Sequence, residues 1–125
     1  MDLLLDSHAL LWALIAPEKL SKMSAAEIRN PARAVFYSPA SVWELEIKIA
    51  RGKLSLPDNW TDALARAGFL ELAISTAHAV TAARLPWHHQ DPFDRMLIAQ
   101  AQTQGLRLVS RDRFAETYGV PLLEA

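Results

Sequence analysis

The chain begins with Asp2-Leu3-Leu4-Leu5-Asp6, in which three consecutive leucines stand between two aspartates. A short apolar run without polar alternation is typical of a central parallel strand that is buried on both faces. The carboxylate of Asp6 follows this run directly, so we expect it at the carboxyl end of the strand. Open α/β sheets bind their ligands at that edge. The first six residues therefore predict both a central strand and an acidic group at its rim.

Helical and extended segments alternate along the rest of the chain, which predicts an α/β fold with three layers. We expect a central, mostly parallel sheet flanked by helices on both faces. The predicted strands are 2–6, 35–38, 69–74, 106–109 and an edge strand at 120–123. The predicted helices are 7–16, a short one opened by a Ser24–Glu27 capping box, 39–51, one capped by Asp58 or Asn59 and ending at Ala67, one capped by Ser75 or Thr76 and ending at Arg84, 92–104, and a final turn at 113–118.

Length and composition restrict the class of protein. The 125 residues suit one domain, 1–125, and about half of them are apolar. The net charge of −1 excludes a polycation, and the absence of cysteine excludes disulfides, thiolate metal sites and cysteine nucleophiles. The apolar stretch 9–16 is too short for a membrane span and follows acidic rather than basic residues. We therefore expect a cytoplasmic protein without a membrane segment.

A role as helix cap does not by itself account for the presence of an aspartate at position 6. Either Asp6 or Ser7 can accept hydrogen bonds from free N–H groups at the start of the first helix. Since Ser7 can do this alone, we expect Asp6 to be free for another role.

The long helix carries two acids, Glu44 and Glu46. Glu44 shares a stripe with Lys48 and Arg51, whereas Glu46 falls within the apolar arc of the helix. An exposed Glu44–Lys48 pair would be an ordinary stabilising contact. Helical geometry alone therefore does not choose which of the two glutamates belongs to a site.

Two further acids lie at the starts of helices. In Asp91-Pro92-Phe93-Asp94 the spacing predicts Asp91 as the N-cap and Asp94 as the third helical residue, where the helix dipole favours negative charge. Asp91 can also orient the side chain of Asp94 without binding the ligand itself. Asp112 follows the predicted strand 106–109 and is able to cap the last helical turn.

Acids that meet at one edge of a sheet repel one another unless a cation lies between them. Carboxylate oxygens are the ligands that Mg²⁺ prefers, so this pattern predicts a hard-metal site and phosphate chemistry. Other enzyme classes are disfavoured because the chain contains no GxSxG, GxGxxG, Gly-rich phosphate loop or HExxH. The loop histidines His88 and His89 lack the spacing of a zinc site.

Four segments taken together resemble a PIN domain, and in particular the VapC-type toxins of bacterial toxin–antitoxin pairs. They are 6–12, 41–48, 91–101 and 110–114, and the resemblance covers essentially the whole chain. It implies a parallel sheet in the order 3-2-1-4-5 and Mg²⁺- or Mn²⁺-dependent cleavage of RNA. It also assigns the second acid to Glu44 rather than Glu46, and places Ser7 where threonine is common. The implied catalytic and metal-binding residues are Asp6, Glu44, Asp94 and Asp112. Ser7 and Asp91 are implied to orient these acids without binding the metal themselves.

The resemblance also implies partners, namely an RNA substrate, a cognate antitoxin protein and a second copy of the chain in a homodimer. Basic side chains near the acids are candidates to hold flanking phosphates. They are Lys48, Arg95, Arg111 and Arg113.

Three other functions stay open at this point. The chain could be a PIN nuclease that processes RNA or DNA without being a toxin. It could also be a catalytically silent PIN module that binds metal or protein. A phosphoacceptor receiver domain is disfavoured, because such a domain needs a lysine late in the chain and none follows Lys53.

Overall fold

A computed structural model describes residues 1–125 and contains one parallel sheet of five strands in the order β3-β2-β1-β4-β5. Helices cover both faces, so the predicted three-layer α/β fold and its strand order are confirmed. The strands are β1 Leu3–Leu5, β2 Val35–Tyr37, β3 Leu70–Glu71, β4 Arg107–Ser110 and β5 Leu122–Glu124. The helices are α1 Ser7–Ile15, α2 Lys22–Arg29, α3 Pro39–Ala50, α4 Asp62–Arg66, α5 Thr76–Arg84 and α6 Pro92–Gln104, with 3₁₀ turns at Pro17–Lys19 and Phe114–Tyr118.

Strand β1 lies at the centre of the sheet and is inaccessible to solvent. Leu3 and Leu5 point into one core, which α1 and α3 complete, whereas Leu4 points into a second core against α6. This alternation follows from the two-residue period of a strand. The three leucines therefore join both cores, which is why the run contains no polar residue.

The parallel register brings the ends of β1 and β4 together. Leu5 pairs with Val109, and the N–H of Asp6 donates to the Val109 carbonyl at 3.0 Å. Asp6 and the residues that follow β4 consequently lie at the same edge of the sheet.

Two predicted helix starts were wrong. Ser21, not Ser24, caps α2, because its hydroxyl accepts the N–H of Ser24 at 3.1 Å. The expected capping box fails since Glu27 pairs with Arg33 instead. Helix α4 begins at Asp62, and no side chain caps it.

The edges of the sheet are shorter than the sequence suggested. Strand β3 has only two residues and pairs with β2 alone, where 69–74 was predicted. At the opposite edge β5 pairs with β4 alone. The longest helix, α6, has 13 residues, and no helix has the length and apolarity needed to span a membrane.

Candidate active site at the carboxyl edge of the sheet

Asp6 lies buried at the end of β1, with only 4% of its surface exposed. It is the N-cap of α1, since its Oδ1 accepts the N–H of Ala9 at 2.8 Å. The expectation that Ser7 would cap this helix was therefore wrong. The cap uses one carboxylate oxygen and orients the second relative to the sheet edge.

Ser7, the first residue of α1, connects that helix to α3. Its buried hydroxyl donates to Oε1 of Glu44. The neighbouring acid Glu46 points elsewhere, because its Oε1 accepts the indole N–H of Trp60 at 2.9 Å. The structure thus separates two glutamates that helical geometry left equivalent, and it places Glu44 beside the end of β1.

Asp94 occupies the predicted position at the start of α6. Asp91 caps the helix and accepts the N–H of Asp94 at 3.0 Å. The carboxylate of Asp94 is itself held by His89, whose Nε2 lies 2.7 Å from Oδ2. His89 was not among the predicted site residues, and its only signal in the sequence is its place in the loop that leads to the cap.

Asp112 lies beyond β4 and is exposed to solvent. Its N–H donates to the hydroxyl of Ser110 at 3.1 Å, and its carboxylate forms no ion pair. It does not cap the last turn, whose first residue has no side-chain cap.

The pKa shifts show how these acids influence one another. Burial raises the pKa of Asp6, as does the negative charge of Asp112, whereas the Ser110 hydroxyl and the Ala9 N–H lower it. Burial raises the pKa of Asp94 to about 6, and the charges of Asp91 and, to a smaller extent, Glu44 add to this, while the bond to His89 opposes it. Asp6 is thus electrostatically linked to Asp112, and Asp94 to Asp91 and Glu44.

The four predicted acids do not form a closed cluster. No three of the aspartate, glutamate and histidine side chains converge closely enough to enclose a metal ion by themselves. The donor chemistry nevertheless fits a hard cation, because the acids provide only oxygens and buried Asp6 has no ion-pair partner. Mg²⁺ keeps several waters when bound and needs few protein ligands.

Two of the predicted cations, Lys48 and Arg111, lie beside the rim of the sheet without an ion-pair partner. Both lie close to His8. Burial is the largest cause of the lowered pKa of His8, the positive charge of Arg111 is the next, and that of Lys48 contributes less. Arg111 also lies over the Trp12 ring, with 5.8 Å between its Cζ and the ring centroid. Arg113 differs, because it pairs with Glu116 at 2.7 Å.

Lys48 and Lys53 line a cleft of about 190 Å³ together with Ser7 and His8. Because Ser7 contacts Glu44, this cleft lies next to the acidic rim. Lys53 was not among the predicted site residues. Its signal in the sequence is weak, since it follows Gly52, beyond the end of α3.

Arg95 was expected to contact RNA, and the structure contradicts this. Only 3% of the residue is exposed, and its guanidinium lies 3.5 Å from the centroid of the Trp87 ring. The reason is that α6 turns by about 100° per residue, so the neighbour of Asp94 faces α5 instead of the rim. Its donors satisfy the carbonyls of Ala82, Leu85, Pro86 and His89 at 2.8–3.0 Å.

Comparisons with known proteins agree with this architecture. The PIN domain family matches residues 3–119. Ribonuclease VapC22 of Mycobacterium tuberculosis is 33% identical over 122 residues, which cover 94% of this chain and 92% of the relative. Two solved structures share the fold at low identity. VapBC2 from Rickettsia felis, bound to a promoter DNA fragment, has a TM-score of 0.72 at 13% identity and covers 98% of each chain. DNA-bound VapBC from Salmonella typhimurium has a TM-score of 0.70 at 17% identity and covers 98% of this chain and 97% of its own.

Proposed function

Because this chain belongs to the PIN domain family and is of the VapC type, we propose that it is a ribonuclease and the toxin of a type II toxin–antitoxin pair. It hydrolyses RNA phosphodiesters in the cytoplasm with the help of Mg²⁺ or Mn²⁺. Asp6 and Asp94 would be the principal ligands of the ion at the carboxyl edge of the sheet, and Glu44 and Asp112 would bind it directly or through water.

One observation carries this proposal. Asp6 is buried at the rim, and no cationic side chain of the protein pairs with it. An uncompensated buried carboxylate is costly, and burial raises the pKa of Asp6 accordingly. A protein that needed only a helix cap could use a serine or asparagine here. A divalent cation compensates the charge that the fold itself leaves uncompensated.

The chain's own residues orient the ligand oxygens before any ion binds. The Ala9 N–H holds one oxygen of Asp6, the Ser7 hydroxyl holds Oε1 of Glu44, and His89 holds Oδ2 of Asp94. When bound, the divalent ion stabilises the negative charge that develops on phosphate oxygens. Lys48 and Arg111 attract the backbone of the substrate toward this rim.

The test is cleavage of RNA by the purified protein with Mn²⁺, comparing the natural chain with Asp6→Asn and Asp94→Asn. We expect both variants to lose at least about 100-fold in rate, since removal of a metal ligand removes the principal charge stabilisation. Glu46→Gln is the matched control, because its side chain still accepts the Trp60 indole N–H and lies off the rim. Equal cleavage by all four proteins would refute the assignment.

Chelation provides a second control. Activity that survives EDTA indicates a contaminating metal-independent ribonuclease. Mn²⁺ affinity, measured by electron paramagnetic resonance without RNA, separates loss of the ion from loss of the substrate. We expect weaker Mn²⁺ binding for Asp6→Asn and Asp94→Asn, and unchanged binding for Glu46→Gln.

We also propose a cognate antitoxin and a homodimer as the protein assemblies. The test is co-expression with the product of the adjacent gene. Growth arrest by this chain alone, relieved by the neighbour, supports the toxin role. RNA cleavage without growth arrest would instead favour a PIN nuclease with a processing role.

A further inference from the structure

Trp43 is a large apolar residue that the fold leaves in solvent beside the acidic rim. It precedes Glu44 on α3, and 65% of its surface is exposed. Trp60 is buried. Trp87 is 62% exposed, but the guanidinium of Arg95 covers one face of its ring, and Arg111 lies over the ring of Trp12. Trp43 therefore stands apart, since it makes no contact with a cation and does not belong to either core.

The indole of Trp43 is nonetheless held in place. It contacts the ring of Phe93 on α6, with centroids 5.3 Å apart and planes at 73°. An edge-to-face contact covers at most one face of the indole, and with 65% of Trp43 exposed the other face is open to solvent. A positioned ring with an open face has little conformational freedom to lose on stacking.

The position of this aromatic pair is set by the acids. Trp43 directly precedes Glu44, and Phe93 directly precedes Asp94, the two acids that are electrostatically linked. The pair therefore borders the rim on the side where α3 meets α6. Lys48 lies on a different side of α3, where it lines the cleft beside Ser7 and His8, and it provides a positive charge at the same rim. Exposed aromatic rings combined with a positively charged groove are the features that bind single-stranded nucleic acid.

We infer that Trp43, supported by Phe93, stacks on an unpaired nucleobase of single-stranded RNA next to the scissile phosphodiester. The inference rests on the proposed ribonuclease function and adds a residue that binds a base. The base must be unpaired, because bases in a duplex are already stacked and cannot offer a face. Since every base has a π-face, stacking on Trp43 favours unpaired RNA without selecting a sequence.

The experiment measures binding, not cleavage, in an Asp94→Asn background and EDTA. The probes are a fluorescein-labelled, unstructured 12-nucleotide RNA of mixed sequence and the same ribose–phosphate chain with all bases removed. We expect the parent to bind the base-containing RNA more tightly than the abasic chain, by about 5- to 100-fold. Trp43→Ala is expected to abolish this difference while it leaves binding of the abasic chain unchanged. Trp43→Tyr keeps an aromatic face and is expected to retain most of the preference.

Met23→Ala is the matched control, because Met23 is also 65% exposed but lies on α2, which does not contribute to the rim. An unchanged preference for base-containing RNA in Trp43→Ala overturns the inference, and so does an equal loss with both probes. Weaker binding of the antitoxin alone, with RNA binding intact, also overturns it and assigns Trp43 to a protein interface. None of these results affects the cleavage test, so failure of this inference is distinguishable from failure of the proposed function.

Discussion

The Nε2 atom of His89 lies 2.7 Å from Oδ2 of Asp94, and the imidazole is stacked on the ring of Phe114, with centroids 4.7 Å apart. The backbone N–H of His89 donates to the hydroxyl of Tyr118 at 3.0 Å. Two residues of the 3₁₀ turn that follows β4 thereby fix the histidine, and the histidine fixes the carboxylate. The position of Asp94 consequently depends on a segment about 20 residues further along the chain.

Removal of this contact is expected to raise the pKa of Asp94. With all contributions included, that pKa is about 6: burial raises it, and the bond to His89 lowers it. His89→Ala should therefore move the titration of Asp94 above 6 in the metal-free protein. The measurement is ¹³C NMR of the aspartate carboxyl in EDTA. A titration midpoint that stays the same or falls in His89→Ala would contradict this account.

The raised pKa of Asp94 also predicts a pH dependence of stability. The folded state binds this proton more tightly than the unfolded state, so the free energy of unfolding falls as pH rises from about 4 to above 6. The full shift corresponds to about 3 kcal/mol, and solvent screening of the partly exposed carboxyl makes the contribution of this residue smaller than that. Asp94→Asn should lack it, so the variant should gain stability relative to the natural protein at pH 7.5 but not at pH 4. Urea unfolding in EDTA at both pH values measures the difference. Asp112→Asn, at an exposed position, should show no such gain.

Ser7 is expected to act through Glu44. Ser7→Ala removes the hydroxyl that orients Oε1, and we expect a loss of about 10-fold in Mn²⁺ affinity or cleavage rate, as is usual for partners of metal ligands. Ser7→Thr keeps the hydroxyl and should retain near-natural values. Titration of Mn²⁺ followed by cleavage assays distinguishes the two variants. Equal losses in both would assign Ser7 a packing role.

Arg95 and Arg111 are expected to have opposite effects. Arg95→Ala leaves buried carbonyls without donors, so we expect a loss of about 3 kcal/mol or more in the free energy of unfolding. Arg95→Lys should recover only part of this, because an ammonium lacks the planar fork.

Arg111→Ala should leave stability within about 0.5 kcal/mol. It should weaken RNA binding instead and reduce the salt dependence, log K against log salt, by about 1. Thermal unfolding and fluorescence anisotropy give the two readouts. If Arg111→Ala unfolds the protein, the assignment of Arg111 to RNA binding rather than to stability is wrong.

Much of the fold could be predicted because local patterns agreed with the final packing. The leucines of β1 are apolar on both faces, and Pro92 and Gly105 mark the ends of α6, which begins and ends where predicted. The edge strands were harder. Residues 69–74 have the composition of a strand, but only Leu70–Glu71 pair with β2 in register, and the Leu72 N–H adds one hydrogen bond to the Tyr37 carbonyl at 2.8 Å. Strand length at an edge depends on the neighbour, which local sequence does not reveal.

The candidate site shows the same division between local and distant effects. Its acids could be found because each follows a strand or lies on a helix at a place where the chain turns toward the sheet edge. The two errors, Ser7 as a cap and Arg95 as a phosphate ligand, concern side chains whose distant partners decided their direction. His89 was missed for the same reason, since its orientation depends on Phe114 and Tyr118.

The sequence by itself determined the parallel α/β sheet, the central place of β1, and the positions of Asp6 at the end of that strand and Asp94 at the start of α6. These follow from hydrophobic period and chain direction, which act over a few residues. Only the tertiary structure showed that Ser7 bonds Glu44 while Trp60 bonds Glu46, that Arg95 supports a loop, and that no three of the acids converge on one point. Such choices depend on hydrogen bonds between segments that are far apart in the chain. They also depend on which carboxylates are buried without a cationic side chain to pair with them.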